Sequence, residues 1–240
     1  MTFVDLHAHV LPGLDDGARD LRDSLALLQG LREMGFCEVF ATPHQKAPHL
    51  LPTREAIRAA FDVVSAAVKD AGQPRLGLGA ENFWDSVFFE RLTTKTFPTY
   101  GPGKAFLIEF SPERLPPGLD EHLFRLRVGG LLPALAHPER YAEVTRDLAR
   151  AEALGKNAAL VVDLPALGGA HGRTANKTAR ALCEAGLAHA AASDVHRPAD
   201  LDAAARGVAW LQKRLGPGAV TRLLDQGPRA ILAGELPALS

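Results

Sequence analysis

The chain has 240 residues, 47% hydrophobic and 23% charged, a composition that can bury a large core and lies far from that of disordered chains. Lys+Arg 27 against Asp+Glu 28 leaves a net charge of −1, so no general basic field exists to hold a nucleic-acid backbone. No stretch reaches the roughly 18–20 apolar residues that span a bilayer, and MTFVDLHAHV lacks the basic start and apolar run of a signal peptide, so the cytoplasm is the expected location.

Read in chain order, a short strand over residues 3–6 precedes a helix over 21–34, in which Leu21, Leu25, Leu28 and Leu31 recur at helical spacing before Gly35 stops it. The second strand is 37–42. Thr53 caps a helix predicted to end at Ala71, before Gly72, and 75–80 follows as the third strand with Glu81 at its end. The fourth strand is 105–110, after the Pro/Gly-rich turn at 98–103, and a helix over 119–128 leads to the fifth at 131–136. The sixth is 158–164 and the seventh 189–192, which runs into Ser193 and Asp194; the tail from Gly227 reads as a last short helix and a fray. Strands alternating with helices imply a mainly parallel sheet, and about seven such units fit one (β/α) barrel over residues 1–240 better than two domains. No linker, repeat or low-complexity tract divides the chain.

In a parallel barrel the C-terminal strand ends and their loops form one rim, where residues distant in sequence meet. Here that rim carries His7, His9, His44, Glu81, Glu109, His137, Asp194 and His196, five of the nine histidines among them. The period-two spacing of His7-Ala8-His9 turns both imidazoles to one side of a strand, and Asp194-Val195-His196 repeats it on the last strand. Because the last strand of a closing barrel neighbours the first, the two pairs are expected side by side.

Each remaining position has a plain structural alternative. Glu109 lies inside FLIEF, where a carboxylate needs a metal ion or a salt bridge to offset its desolvation. Glu81 follows the small residues Gly77, Gly79 and Ala80, which permit close backbone approach, but alone it reads equally as a solvated loop acid. His44 and His137 follow apolar strands beside prolines, which suits rigid loops. Asp16 can swing over the rim, although Asp15-Asp16-Gly17 also reads as a turn capping the next helix.

A set of imidazoles and carboxylates without thiolates favours Mn, Fe or Zn, in a cluster of two or three ions. Such ions activate water and accept phosphoryl oxygens, the chemistry of phosphoester hydrolysis. Arg140 and Arg197 are placed to grip the remaining phosphate oxygens, whereas either one alone reads as a surface arginine. Cys37 and Cys183 are too few for a disulfide framework and lie in no phosphate-cradling loop, so both are expected to be inert thiols.

The motifs HAH, the DDG loop, ATPH, GAE, LIEF, AHPERY and SDVH, in that order between Asp5 and Arg229, together resemble the polymerase and histidinol phosphatase (PHP) superfamily. Within it the chain is most similar to the manganese-dependent protein tyrosine phosphatases of bacterial capsule and exopolysaccharide operons. The resemblance implies a distorted seven-stranded (β/α) barrel around three divalent ions, manganese first, with iron or zinc as substitutes. By motif, His7, His9, Glu81 and Asp194 would hold one ion. Glu81 would bridge to a second, held with Glu109 and His137, and Asp16, His44 and His196 would hold the third. Arg140 matches a phosphate-binding arginine of the family. The chain departs from the pattern at Arg197, which follows His196 directly where relatives have a longer loop, and at Asp163, where asparagine is common. The implied activity is that of a metal-dependent protein tyrosine phosphatase, and the implied partner the phosphotyrosine tail of a bacterial tyrosine autokinase that controls polysaccharide export, with no nucleic acid and no membrane insertion.

Three other functions compete with that one. They are a small-molecule phosphatase of the histidinol-phosphate kind, a polymerase-associated exonuclease, disfavoured by the balanced charge, and a non-catalytic module that binds the kinase tail. The glutamate of LIEF belongs to the tyrosine phosphatase branch and favours the first reading.

Overall fold

The computed structural model describes residues 2–69 and 72–239. The first half runs β1 (Phe3–Ala8), α1 (Leu21–Glu33), β2 (Phe36–Ala41), β3 (His44–Gln45), α2 (Arg54–Val68), β4 (Arg75–Leu78), β5 (Glu81–Phe83), α3 (Ser86–Thr93) and β6 (Ala105–Glu109). The second half runs α4 (Leu119–Val128), β7 (Leu132–Ala136), α5 (Ala142–Arg146), α6 (Leu148–Gly155), β8 (Ala159–Asp163), α7 (Leu164–Leu167), α8 (Gly172–Glu184), β9 (Ala190–Ala192), α9 (Leu201–Thr221) and α10 (Gly227–Leu232).

The strands pair in parallel, as the alternation of elements requires, in two sheets ordered β1-β2-β4 and β3-β5-β6-β7-β8-β9. The seven expected strands are thus nine. The second is interrupted at Thr42-Pro43, where proline has no N–H for the ladder, and the third at Gly79-Ala80. Across both interruptions the chains stay together, because the N–H groups of Gly79 and Glu81 donate to the carbonyls of Ala41 and Pro43. No closed barrel forms among the described residues. β1 meets the segment just beyond β9 at one isolated bridge, Ala8 to Val195, flanked by Asp194 N–H donating to His7 O at 2.7 Å and His9 N–H to Val195 O at 3.0 Å. The buried Asp5 carboxylate adds a tie across this junction, accepting from the N–H of Ser193 at 3.0 Å.

Both faces of the strands are covered, as parallel sheets demand. One set of residues, including Val4, Leu6, Ala105, Leu107, Ala134, Ala136, Val161, Ala190 and Ala192, forms an inner cluster built largely of small side chains. The others, such as Phe106, Ile108, Leu135, Leu160 and Val162, pack outward against the helices. Helix boundaries follow the sequence closely: 119–128 is α4, and α1 ends one residue before the expected Met34. The cap of α1 is Asp20, which accepts from Asp23 N–H at 2.9 Å, so the DDG turn is free for another task. Thr53 caps α2; its predicted end at Ala71 lies outside the described residues. No helix among the described residues is long and apolar enough to cross a membrane.

One core group makes stability depend on pH. His189 is buried before β9, where its Nδ1 accepts the N–H of Leu160 at 3.0 Å, and burial with Arg222 nearby pushes its imidazole from 6.5 down to about 4. Between those values the unfolded chain binds the proton and the folded one does not, so stability falls as pH drops through this window. Replacing His189 with Asn, whose amide oxygen can accept the same N–H, removes the titration. Relative to His189→Asn, the wild-type protein is expected to lose up to about 3 kcal/mol between pH 6.5 and 4, read from urea denaturation across a pH series. Parallel stability curves would contradict the assignment.

Candidate metal centre

Because the strands are parallel, their C-terminal ends share one rim, and all nine expected ligands gather there. Asp16, His44, Glu81, Glu109, His137, Asp194 and His196 line a cavity of about 720 Å³. His7 and His9 are buried against Glu81 and Asp194. β1 changes register between Asp5 and Ala8, and the two imidazoles converge with their Nε2 atoms 3.1 Å apart. The expected juxtaposition of the HAH and DVH motifs is also present, since the His9 and His196 rings stack at 3.9 Å between centroids.

Glu81 is the focus. Its Oε2 lies 3.3 Å from Nε2 of both His7 and His9 and 2.8 Å from Nδ1 of His44, while Oε1 is 3.0 Å from Nε2 of His137. Burial would raise this carboxyl, but the imidazoles of His7 and His44 outweigh it and hold it well below the usual range. Asp194 is also depressed, with His7 and Arg140 overcoming burial. The imidazoles respond in kind. Against burial, Glu81 and Asp16 push His44 up to about 11, and Asp16 and Asp194 push His196 up to about 9.

Three sets of donor atoms lie within 4.8 Å of one another: His9, Asp16, His44 and His196; His7, His9 and Asp194; and His44, Glu81 and Glu109. These sets differ from the grouping implied by resemblance: Glu81 does not join His7, His9 and Asp194, His9 joins Asp16, His44 and His196, and His44 takes the place of His137 in the set with Glu81 and Glu109, although His137 still meets Glu81 Oε1. Glu109 also meets the alternative expected for it, an ion pair with Lys46 at 3.4 Å. The residues fit divalent ions. Glu81 Oε2 is buried without an aligned hydrogen-bond donor although three imidazole nitrogens crowd it, a state that costs roughly 1–3 kcal/mol for an acceptor. A cation at the shared focus would satisfy the oxygen and the facing nitrogens together, and these nitrogen and oxygen donors suit Mn, Fe or Zn.

Supporting residues that the motifs did not reveal hold this geometry. Asp15, in the DDG turn, faces Nδ1 of His9 with Oδ2 at 2.9 Å and accepts the backbone N–H groups of His44 and Gly17 at 3.0 Å each. It therefore fixes the His9 ring, while Asp16 is left to face His44 at 3.3 Å and His196 at 3.4 Å. The fully buried Tyr141 donates to Ala136 O at 2.7 Å and accepts from Phe110 N–H, which locks the chain beside both His137 and Glu109.

Arg140 stands on the cavity wall with its Nη2 bonded to Asp163 and, at 2.6 Å, to Asp194 Oδ2. Asp163 thus orients the arginine. Arg197 lines the same cavity, and Asp200 accepts its backbone N–H at 2.7 Å. His171, which the sequence reading passed over, lies 3.1 Å from Arg140 and 3.0 Å from Asp163. His137, His171 and Asp194 all have positive φ, at 36°, 62° and 47°, and all line the cavity. Such backbone is costly for residues with a Cβ and collects where a site over-determines it. The thiols take no part: Cys37 donates to Phe3 O at 3.4 Å, and burial pushes the Cys183 thiol up.

Parallel strands that deliver imidazoles and carboxylates to one rim give this α/β protein the donor set of a metal site. The chain belongs to the CpsB/CapC family of capsular polysaccharide synthesis, whose family model matches residues 3–233. Tyrosine-protein phosphatase YwqE of Bacillus subtilis is 29% identical over 195 residues, covering 80% of this chain and 77% of the relative. Tyrosine-protein phosphatase CpsB of Streptococcus pneumoniae is 27% identical over 244 residues, covering 97% and 99%. A chain from the crystal structures of YwqE and CpsB, described as unique metal-dependent tyrosine phosphatases, matches with a TM-score of 0.88 at 25% identity, over 99% of this chain and 97% of that one.

Gly17 tests how tightly the DDG turn is built. A Cβ there would collide with the Cβ and the carbonyl oxygen of His9. Gly17→Ala is expected to cost about 1–3 kcal/mol in urea denaturation, because the rigid β1 exit must move to admit the methyl group. A change below about 0.5 kcal/mol would show that the turn is loose and does not fix His9.

Proposed function

We propose that this protein is a metal-dependent protein tyrosine phosphatase that acts in the cytoplasm on the phosphotyrosine tail of a bacterial tyrosine autokinase in polysaccharide biosynthesis. The observation that carries the reading is the buried Glu81 carboxylate ringed by four imidazoles on the wall of a cavity that also presents Arg140. The tyrosine phosphatases YwqE and CpsB, similar over most of their length, support it. Residues 1–240 are read as one domain, with the two sheets as the interrupted wall of a distorted seven-stranded barrel.

His7, His9, Asp16, His44, Glu81, Glu109, His137, Asp194 and His196 would hold three divalent ions, manganese first, with Glu81 shared between two of them. Bound there, the ions supply Lewis acidity toward phosphoryl oxygens and activate water at neutral pH. The chain supplies position and shape. Arg140, steadied by Asp163 and Asp194, turns its remaining N–H groups to phosphate oxygens in a planar fork, and Arg197 adds charge at the cavity wall. The cavity, about 720 Å³, accepts an aryl phosphate side chain.

Purified protein supplied with manganese should release phosphate from a phosphotyrosine peptide in preference to histidinol phosphate. Chelation should abolish turnover, and the double change Cys37→Ser, Cys183→Ser should leave most of it; activity that survives chelation but not thiol removal would sink the reading. Glu81→Gln should lower bound metal by elemental analysis as well as turnover. Arg140→Lys should keep its metals yet lose roughly 2–4 kcal/mol of transition-state stabilisation in kcat/KM, since a point charge cannot reproduce the fork. An unchanged kcat/KM would place Arg140 outside the reaction.

A further inference from the structure

The loop between α7 and α8 carries a histidine, His171, outside the metal-ligand set. His171 follows Gly168-Gly169-Ala170 and adopts left-handed backbone, φ 62° and ψ 18°, immediately before α8. Its Nε2 lies 3.0 Å from Asp163 Oδ2 and 3.1 Å from Arg140 Nη2. The Arg140 guanidinium can only donate and the Asp163 carboxylate can only accept, so Nε2 accepts from Arg140 in the neutral ring and faces Asp163 as an ion pair when the ring is protonated. Nδ1 then has no protein partner among the described residues. The side chain is 41% exposed and lines the same cavity as Glu81 and Arg140.

A free ring nitrogen at the mouth of a reaction cavity, backed by a buried aspartate, is the arrangement of an oriented acid–base histidine. The charged groups facing it are Asp163 at the end of β8 and Arg140 after β7, while Arg206 of α9 donates to Gly168 O and steadies the loop. We propose that His171 is a further catalytic residue, the proton donor to the phenolic oxygen that leaves phosphorus, with Asp163 as its positioning residue. This rests on the phosphatase reading above. In the step, the water oxygen bonds to phosphorus, the bond from phosphorus to the aryl oxygen breaks, and its electron pair stays on that oxygen. His171 enters the step as the imidazolium paired with Asp163, and its Nδ1 proton moves to the same oxygen and releases tyrosine as the neutral phenol. The attacking water gives up a proton in turn, and exchange with solvent returns the imidazole to its starting form.

His171→Asn separates this role from a structural one. Asparagine tolerates left-handed backbone and can donate to Asp163, but it has no proton to transfer. Manganese-loaded wild type and variant are compared on phenyl phosphate, a poor leaving group, and on 4-nitrophenyl phosphate, whose phenolate departs without a proton. The expected result is a kcat loss of about 10²-fold or more on phenyl phosphate against less than about threefold on 4-nitrophenyl phosphate. Inhibition by inorganic phosphate, metal content and Tm should be unchanged. Equal losses on both esters, weakened phosphate inhibition, or no loss at all would overturn the assignment, the second by showing that His171 acts through Arg140. Wild-type protein that turned over neither ester would contradict the phosphatase reading and this proposal with it.

Discussion

A carboxylate that is 1% exposed must be neutralised by what surrounds it, and the architecture of this protein is arranged around that requirement at Glu81. The neutralising groups arrive from different strand ends: His7 from β1, His9 just beyond it, His44 from β3 and His137 after β7. A parallel sheet is what makes this possible, since it sends every strand end to the same side. The interruptions in the second and third strands belong to the same arrangement, because His44 and Glu81 begin the short strands that resume after them and sit opposite each other in register. Imidazolium protons can balance part of the negative field, and His44 and His196 are held up for that reason. Divalent ions bound there would replace those protons with more charge, which would link ion uptake to proton release.

Holding such a cluster strains the backbone, and the strain is localised. His137, His171 and Asp194 carry left-handed backbone at the cavity, while the strands below them are regular and their inner face is filled by alanine, valine and leucine. Tyr141, Asp5 and Asp15 convert that rigid body into fixed ring orientations. Tyr141 bonds the exits of β6 and β7, Asp5 ties β1 to Ser193 beyond β9, and Asp15 fixes His9 and the backbone of His44. The site is therefore prepared before any phosphate arrives, which is the condition under which charge-stabilising groups lower a barrier most.

Much of this was legible in the residues because spacing constrains direction. His7-Ala8-His9 and Asp194-Val195-His196 announce convergent side chains at strand ends, and the alternation of elements fixes the parallel class. The split of the second and third strands was not legible, since Thr42-Pro43 and Gly79-Ala80 each permit a strand to end or to bend, and only pairing with neighbours decides. Asp15 and Asp16 are adjacent and chemically identical, so which one orients and which one faces the cavity depends on the turn at Gly17, a tertiary feature. His171 lies in a Gly-rich loop that no periodicity marks; its left-handed backbone and its closeness to Asp163 exist only in three dimensions. Asp163 carried no firm role in the sequence, and its contacts with Arg140 and His171 give it one.

We propose that the buried Glu81 carboxylate is the shared ligand of a multi-ion cluster. Anomalous diffraction from crystals grown with manganese measures this most directly. Anomalous peaks are expected flanked by the His, Asp and Glu groups of the rim, with Glu81 in contact with more than one of them. A manganese-saturated crystal with no peak at the rim, or with one ion that Glu81 does not touch, would contradict it.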